Sequence, residues 1–218
     1  MNDINDNTDL PLAEQVYRHL LQDIRDGDYS PGERIKEAVV AKTLGLSRTP
    51  VREAIRRLQS EGRVIIEPQR GAVVAELDRL EISELYSLRK EIEGVAARFA
   101  AQHASDLEIE HLEAILENAH SKKTNLRSFN QKNWDLHQAI FYAAKNRYLL
   151  KIYDALKDDL AFMRGEKYIP EDRPDALYQE HKAIVDAIRA RNPEGAEAAA
   201  KAHIDNSYRI HLRISFDS

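Results

Sequence analysis

The chain has 218 residues, 43% of them hydrophobic and 32% charged, with a net charge of −5. This is a soluble composition with enough apolar material for one large or two small cores, and its acidity argues against indiscriminate coating of nucleic acid. No apolar run approaches the roughly 18–20 residues that cross a bilayer, and the absence of cysteine rules out disulfides and thiolate metal ligands. The opening MNDINDNTDL is polar and acidic, unlike a secretory or transit signal, so a cytoplasmic, membrane-free setting is expected.

Residues 1–10 carry −3 and read as a flexible tail. Residues 11–75 carry +2 (11 Lys/Arg against 9 Asp/Glu) and residues 76–218 carry −4, yet residues 48–57 alone hold four arginines and one glutamate. Positive charge is therefore local, as expected where a chain meets an anion.

From Pro11 the spacing of Val16, Leu20 and Ile24, with Leu12 and Leu21 beside them, predicts a first helix ending at Gly27. A short second helix carries Ile35, Val39, Val40 and Leu44 and stops at Gly45. A third begins near Ser47, with Ser47 or Thr49 as N-cap and Pro50 in its first turn, and runs to Gly62. The β-branched runs Val64–Ile66 and Ala72–Val74, separated by Glu67-Pro68-Gln69-Arg70-Gly71, predict a two-stranded hairpin.

Three helices and a hairpin, over residues 11–76, are the layout of a winged helix-turn-helix, whose third helix enters the major groove. On that helix Val51, Ile55 and Leu58 form one stripe and Thr49, Arg52 and Arg56 an adjacent one, so it can pack inward and point arginines outward. Arg48, Thr49 and Arg52 are expected to reach base edges; Arg56, Arg57 and Arg70 are expected to hold phosphates. A basic face is also common as plain solvated surface, and the hairpin is what favours DNA.

From Asp78 onward the pattern is helical throughout, with segments near 78–103, 107–123, 126–144, 147–165, 174–191 and 194–214. The breaks fall at Ser105-Asp106, Lys123-Thr124-Asn125, Lys145-Asn146, Ile169-Pro170 and Asn192-Pro193. The fold class expected is mainly α: the winged domain, then residues 78–218 as an all-α antiparallel bundle of six helices.

The run PGERIKEAVVAKTLGLSRTPVREAIRRLQSEGRVIIEPQRGAVV resembles the DNA-binding domain of the GntR family of bacterial transcription regulators. The resemblance implies operator contacts from Arg48, Arg52 and the hairpin tip near Gly71. One departure is Ala38, where some members carry a further arginine in the second helix. The segments LYSLRKEIEGVAARFAA, NWDLHQAIFYAAKN and YQEHKAIVDAIRARNPEGAEAAAKAHI resemble the FCD effector domain of the FadR-type branch.

Spacing puts Asn133 and His137 on one helix face, while nothing in it forces His181 and His203 together. By spacing alone each could be a core or surface histidine. The FCD resemblance implies that Asn133, His137, His181 and His203 hold a divalent metal such as Zn, Ni or Mn. Asn133 stands where metal-binding members commonly carry aspartate, and its neutral amide implies a weaker site or one completed by an anionic effector. Asp135, two residues from His137, lies on another face. The resemblance also places Arg89 by the effector cavity, with Arg164 a lesser candidate; the alternative for Arg89 is an exposed arginine pairing Glu93 at i+4. Phe141 and Tyr142 are expected in the core or cavity wall, and His19, His103, His111, His120 and His211 at the surface.

The function expected is a homodimeric, ligand-responsive DNA-binding regulator on a palindromic operator, a repressor released by a small organic acid bound at or near the metal. A metal-dependent hydrolase using the histidines and a sensor-less architectural DNA-binding protein are the alternatives. No HExxH pair or nucleophile-elbow pattern supports an enzyme.

Overall fold

The computed structural model describes residues 10–121, 126–161 and 174–216. The expectations for residues 1–9, Arg164 and the breaks at 123–125 and 169–170 lie outside them, as does the side chain of His120. The chain divides at Leu77–Asp78 into two compact units.

The N-terminal unit comprises α1 (Leu12–Asp26), α2 (Glu37–Leu44), α3 (Arg48–Ser60), β1 (Val64–Glu67) and β2 (Gly71–Val74). Helix α1 buries Val16, Leu20, Leu21 and Ile24, whereas Leu12 at its first turn is exposed. The α2–α3 turn depends on Gly45, whose φ of 67° lets the Leu46 amide donate to Ala41 O at 2.9 Å and close α2. Ser47 occupies the N-cap of α3 without a side-chain capping bond, and Thr49 lies inside the helix. Val51, Ala54, Ile55 and Leu58 of α3 turn into a core shared with α1, Ile35, Val64 and Val74.

Strands β1 and β2 pair antiparallel from Val64↔Val74 to Glu67↔Gly71. Ile35, expected in the second helix, instead precedes it in extended chain beside β2. Its amide donates to Ala72 O at 2.9 Å, the Val74 amide donates to Glu33 O at 2.9 Å, and Arg34 bridges Val73. The hairpin is thus tied to the α1–α2 connection along its second edge.

The second unit comprises α4 (Arg79–His103), α5 (Asp106–Ser121), α6 (Leu126–Ala143), α7 (Arg147–Ala161), α8 (Pro174–Arg189) and α9 (Pro193–Phe216). Small polar residues at the breaks start these helices. Asp78 and Glu81 form a capping box on α4, Ser105 and Glu108 exchange bonds at α5, Asn146 accepts from the Tyr148 and Leu149 amides, and Asn192 accepts from the Gly195 amide. Helix α4 is central, packing against α6, α8 and α9. Alanines at 96, 97, 100 and 101 of α4 and at 196 and 200 of α9 are buried, and a Cβ on Gly94 would come within 2.7 Å of Lys201 Cε on α9. Small side chains thus let α4 and α9 approach closely.

Leu58 is fully buried where α3 meets α1. Leu58→Ala should destabilise the N-terminal unit by about 2–5 kcal/mol, read by chemical denaturation, through lost burial and the cavity left behind.

Candidate functional site

The basic positions of the N-terminal unit differ in what already holds them. Arg48, Thr49, Arg52 and Arg56 are exposed along the outer side of α3. The Arg52 guanidinium donates to Glu37 Oε2 on α2 at 3.2 Å, so it is oriented by a neighbouring carboxylate. Arg57, expected to hold phosphate, is engaged by its own domain. It donates to Glu14 on α1 and to Glu61 Oε1 at 3.1 Å, and its Cζ lies 3.7 Å from the Tyr17 ring centroid. Tyr17 in turn donates to Glu61 Oε2 at 2.7 Å. Arg57 therefore clamps α1 to α3, a contact the α3 spacing could not reveal because Glu14 and Tyr17 come from another helix. Arg70 also turns back on its own domain, donating to Glu67 Oε2 at 3.1 Å and to Gly32 O at 2.9 Å, with Gly71 beside it at φ 76°. Ala38 is exposed on α2 and has no reach of its own.

In the helical unit, three of the predicted histidines meet. His137 on α6, His181 on α8 and His203 on α9 are all buried, and their candidate ligand atoms lie within 4.8 Å of one another. The ring centroids are 5.1 Å apart for His137–His203, 5.3 Å for His137–His181 and 4.5 Å for His181–His203. Asn133 stands one turn before His137 with its Oδ1 buried and lacking a hydrogen-bond partner, and both ring nitrogens of His137 are likewise without a hydrogen bond.

Helix α4 contributes two charged residues, each only 5% exposed: Arg89 and Glu93. Arg89 Nε donates to Glu93 Oε1 at 2.5 Å, and its guanidinium carbon lies 5.1 Å from the Trp134 ring centroid. The i+4 pair is the alternative weighed from sequence, but it is buried rather than exposed. Glu93 Oε2 approaches His137 Nδ1 to 2.5 Å. Burial alone would raise the Glu93 pKa; the Arg89 and His137 charges outweigh it and hold the carboxyl well below the usual range. Burial disfavours the charged form of Arg89, and Glu93 more than restores it. Removing one partner would strand the other charge, at a cost of about 3–5 kcal/mol.

Sequence comparison places this architecture. Residues 84–206 match the FCD domain, more than half of the chain, and residues 12–74 match the bacterial regulatory proteins of the gntR family. The chain belongs to the GntR family. It is 28% identical to an uncharacterized HTH-type transcriptional regulator, YdhC of Bacillus subtilis, over 94% of this chain and 93% of that one. It is 32% identical to a probable D-xylose utilization operon transcriptional repressor of Paenarthrobacter nicotinovorans, over 88% and 85%. The solved E. coli McbR/YncC shares the fold at a TM-score of 0.79 and 22% identity, covering 94% of this chain and 98% of that one. Family membership makes the chain a bacterial DNA-binding transcription regulator rather than the hydrolase or architectural protein kept open above. Among the described residues no helix is long and apolar enough to cross a membrane.

In this GntR-family regulator the donor set fits a divalent ion. Three imidazoles converge, an orphaned amide oxygen sits one turn from one of them, and the donor separation is one that an ion with bonds of about 2 Å closes by small side-chain shifts. Asp135 lies apart, as expected, lining a surface cavity of about 350 Å³ with His111 and Tyr142. Phe141 is in the core, stacked on Tyr153 at 4.2 Å, while Tyr142 is exposed. His103 and His111 are exposed, but His19 and His211 are half-buried, the latter 5.8 Å from the Tyr86 ring centroid. Glu93 and Glu180 were missed from sequence; only the i+4 spacing of Arg89 and Glu93 hinted at the first.

Burial pushes the His203 pKa down to about 4, against a partial restoring effect of Glu180. In the unfolded chain the ring titrates near about 6.5, so lowering the pH below that value favours the unfolded state. Metal-free protein should lose thermal stability as pH falls from about 6.5 to about 4, and His203→Phe should flatten that part of the profile. A second pair separates the arginines. Arg52→Ala should weaken specific operator binding by about 1–3 kcal/mol while sparing unrelated DNA in a shift assay. Arg57→Ala should chiefly lower the melting temperature of the DNA-binding unit.

Proposed function

We propose that this regulator is a dimeric repressor released by a small carboxylate metabolite that completes the coordination of a divalent metal held by Asn133, His137, His181 and His203. The observation that carries the reading is the convergence of three buried histidines beside an unsatisfied asparagine oxygen, in a chain whose other unit exposes a basic recognition helix. A neutral amide leaves the ion's charge less compensated than a carboxylate would, and the ion then favours an anionic ligand. The metal supplies a Lewis-acidic anchor; the chain's part is to hold it in a dry pocket.

On the DNA side, Arg48, Thr49 and Arg52 read base edges, Arg56 neutralises phosphate, and the Arg70–Gly71 tip reaches the backbone beside the recognition groove. A two-fold dimer matches a palindromic site, with half-sites about one duplex turn apart. The acid can release the operator only if it binds the non-binding arrangement of the dimer more tightly than the DNA-bound one. The setting is cytoplasmic, as for any protein working on bacterial DNA.

A shift assay on the operator, with candidate acids and with metal-stripped or metal-loaded protein, tests the reading. Release should occur only with the loaded form; release by the same acid from stripped protein would overturn it. Asn133→Asp should tighten metal binding and weaken the response to the acid, measured by calorimetric titration. Unchanged metal affinity would put Asn133 outside the coordination sphere.

A further inference from the structure

The carboxylates around the histidines, Glu93 buried and Glu180 half-buried, have no role in the reading above, and their geometry gives them one. Resting on that metal reading, we propose that Glu180 and Glu93 are positioning residues of the centre: Glu180 on the Nδ1 side of His203 and Glu93 on the Nδ1 side of His137 direct each ring's Nε2 toward the ion.

Glu180 Oε2 lies 2.9 Å from His203 Nδ1. An ionised carboxylate only accepts, so Nδ1 carries the proton and Nε2 keeps the lone pair that a metal requires. The other oxygen, Oε1, accepts from Asn206 Nδ2 at 3.2 Å, one turn beyond His203 on α9, so the carboxylate is held at both ends. Glu93 approaches from α4: Oε1 accepts from Arg89 at 2.5 Å, and Oε2 lies 2.5 Å from His137 Nδ1 as a close ion-pair contact whose angle falls short of a hydrogen bond. Metal-bound histidines commonly carry such a carboxylate behind the ring, which fixes the tautomer and makes the bare nitrogen more basic.

Arg89 balances the charge of Glu93. The same geometry gives Arg89 a task beside the effector contact that the family resemblance implies: its guanidinium holds Glu93 in place.

The test uses the full chain, metal-stripped and then titrated with Zn²⁺ against a competing chelator, with ¹⁵N-histidine spectra before metal is added. In the wild type, His203 and His137 should show the Nδ1–H tautomer. Glu180→Gln, whose amide can donate as well as accept, should mix the tautomers of His203 and weaken Zn²⁺ by about 10–100-fold without changing the metal-free melting temperature. Asn206→Ala, which only loosens the carboxylate, should show a smaller loss of the same kind and gives the reading if Glu180→Gln does not fold. Zn²⁺ affinity and a His203 tautomer unchanged in both variants would overturn the proposal. A wild type that takes up no Zn²⁺ would overturn the metal reading itself, and the positioning role with it.

Discussion

A nearly buried ion pair is the contact from which the polar centre of the helical unit is built. Arg89 and Glu93 lie on the inner face of α4 where solvent cannot compensate either charge, so each must be answered by protein. Glu93 meets that demand on one side with Arg89 and on the other with His137, which ties α4 to α6. The histidines of α8 and α9 then gather against the same ring. Gly94 and the buried alanines let α4 and α9, two of the helices around this cluster, approach closely. Polar groups buried at this density specify one arrangement, because any slip leaves several unsatisfied at once.

What could be read from the sequence follows from how local each signal is. The apolar stripe of α3, the hairpin and the breaks before α5, α7 and α9 are set by residues within a turn of one another, and they appear where expected. Ile35 was misplaced because two or three residues of extended chain have no period to detect, and its pairing depends on a strand almost forty positions later. The roles of Arg56 and Arg57 were not separable for a similar reason. They are adjacent in sequence, and only the arrival of Glu14 and Tyr17 from α1 gives Arg57 its contacts within the domain.

The buried centre was legible as a set of residue types and not as a shape. Spacing linked Asn133 to His137, and only the family resemblance added His181 and His203. The carboxylates behind the rings had no such marker. Glu180 is one of many glutamates on amphipathic helices, and its neighbour His203 stands 23 positions away. A charged residue at a helical position that should face the core is the one clue the sequence offered, at Arg89 and Glu93, and helical spacing made a solvent-facing pair equally reasonable.

Helix α3 keeps its two jobs on separate faces. Val51, Ile55 and Leu58 anchor it inward, Arg57 locks its far end to α1, and Arg48, Thr49 and Arg52 project outward. Exchanging the outward side chains leaves the anchoring ones undisturbed. A scaffold of this kind can acquire a new cognate duplex through a few surface changes while its fold stays the same, which lets one ancestral design diverge into many regulators that ignore one another's promoters.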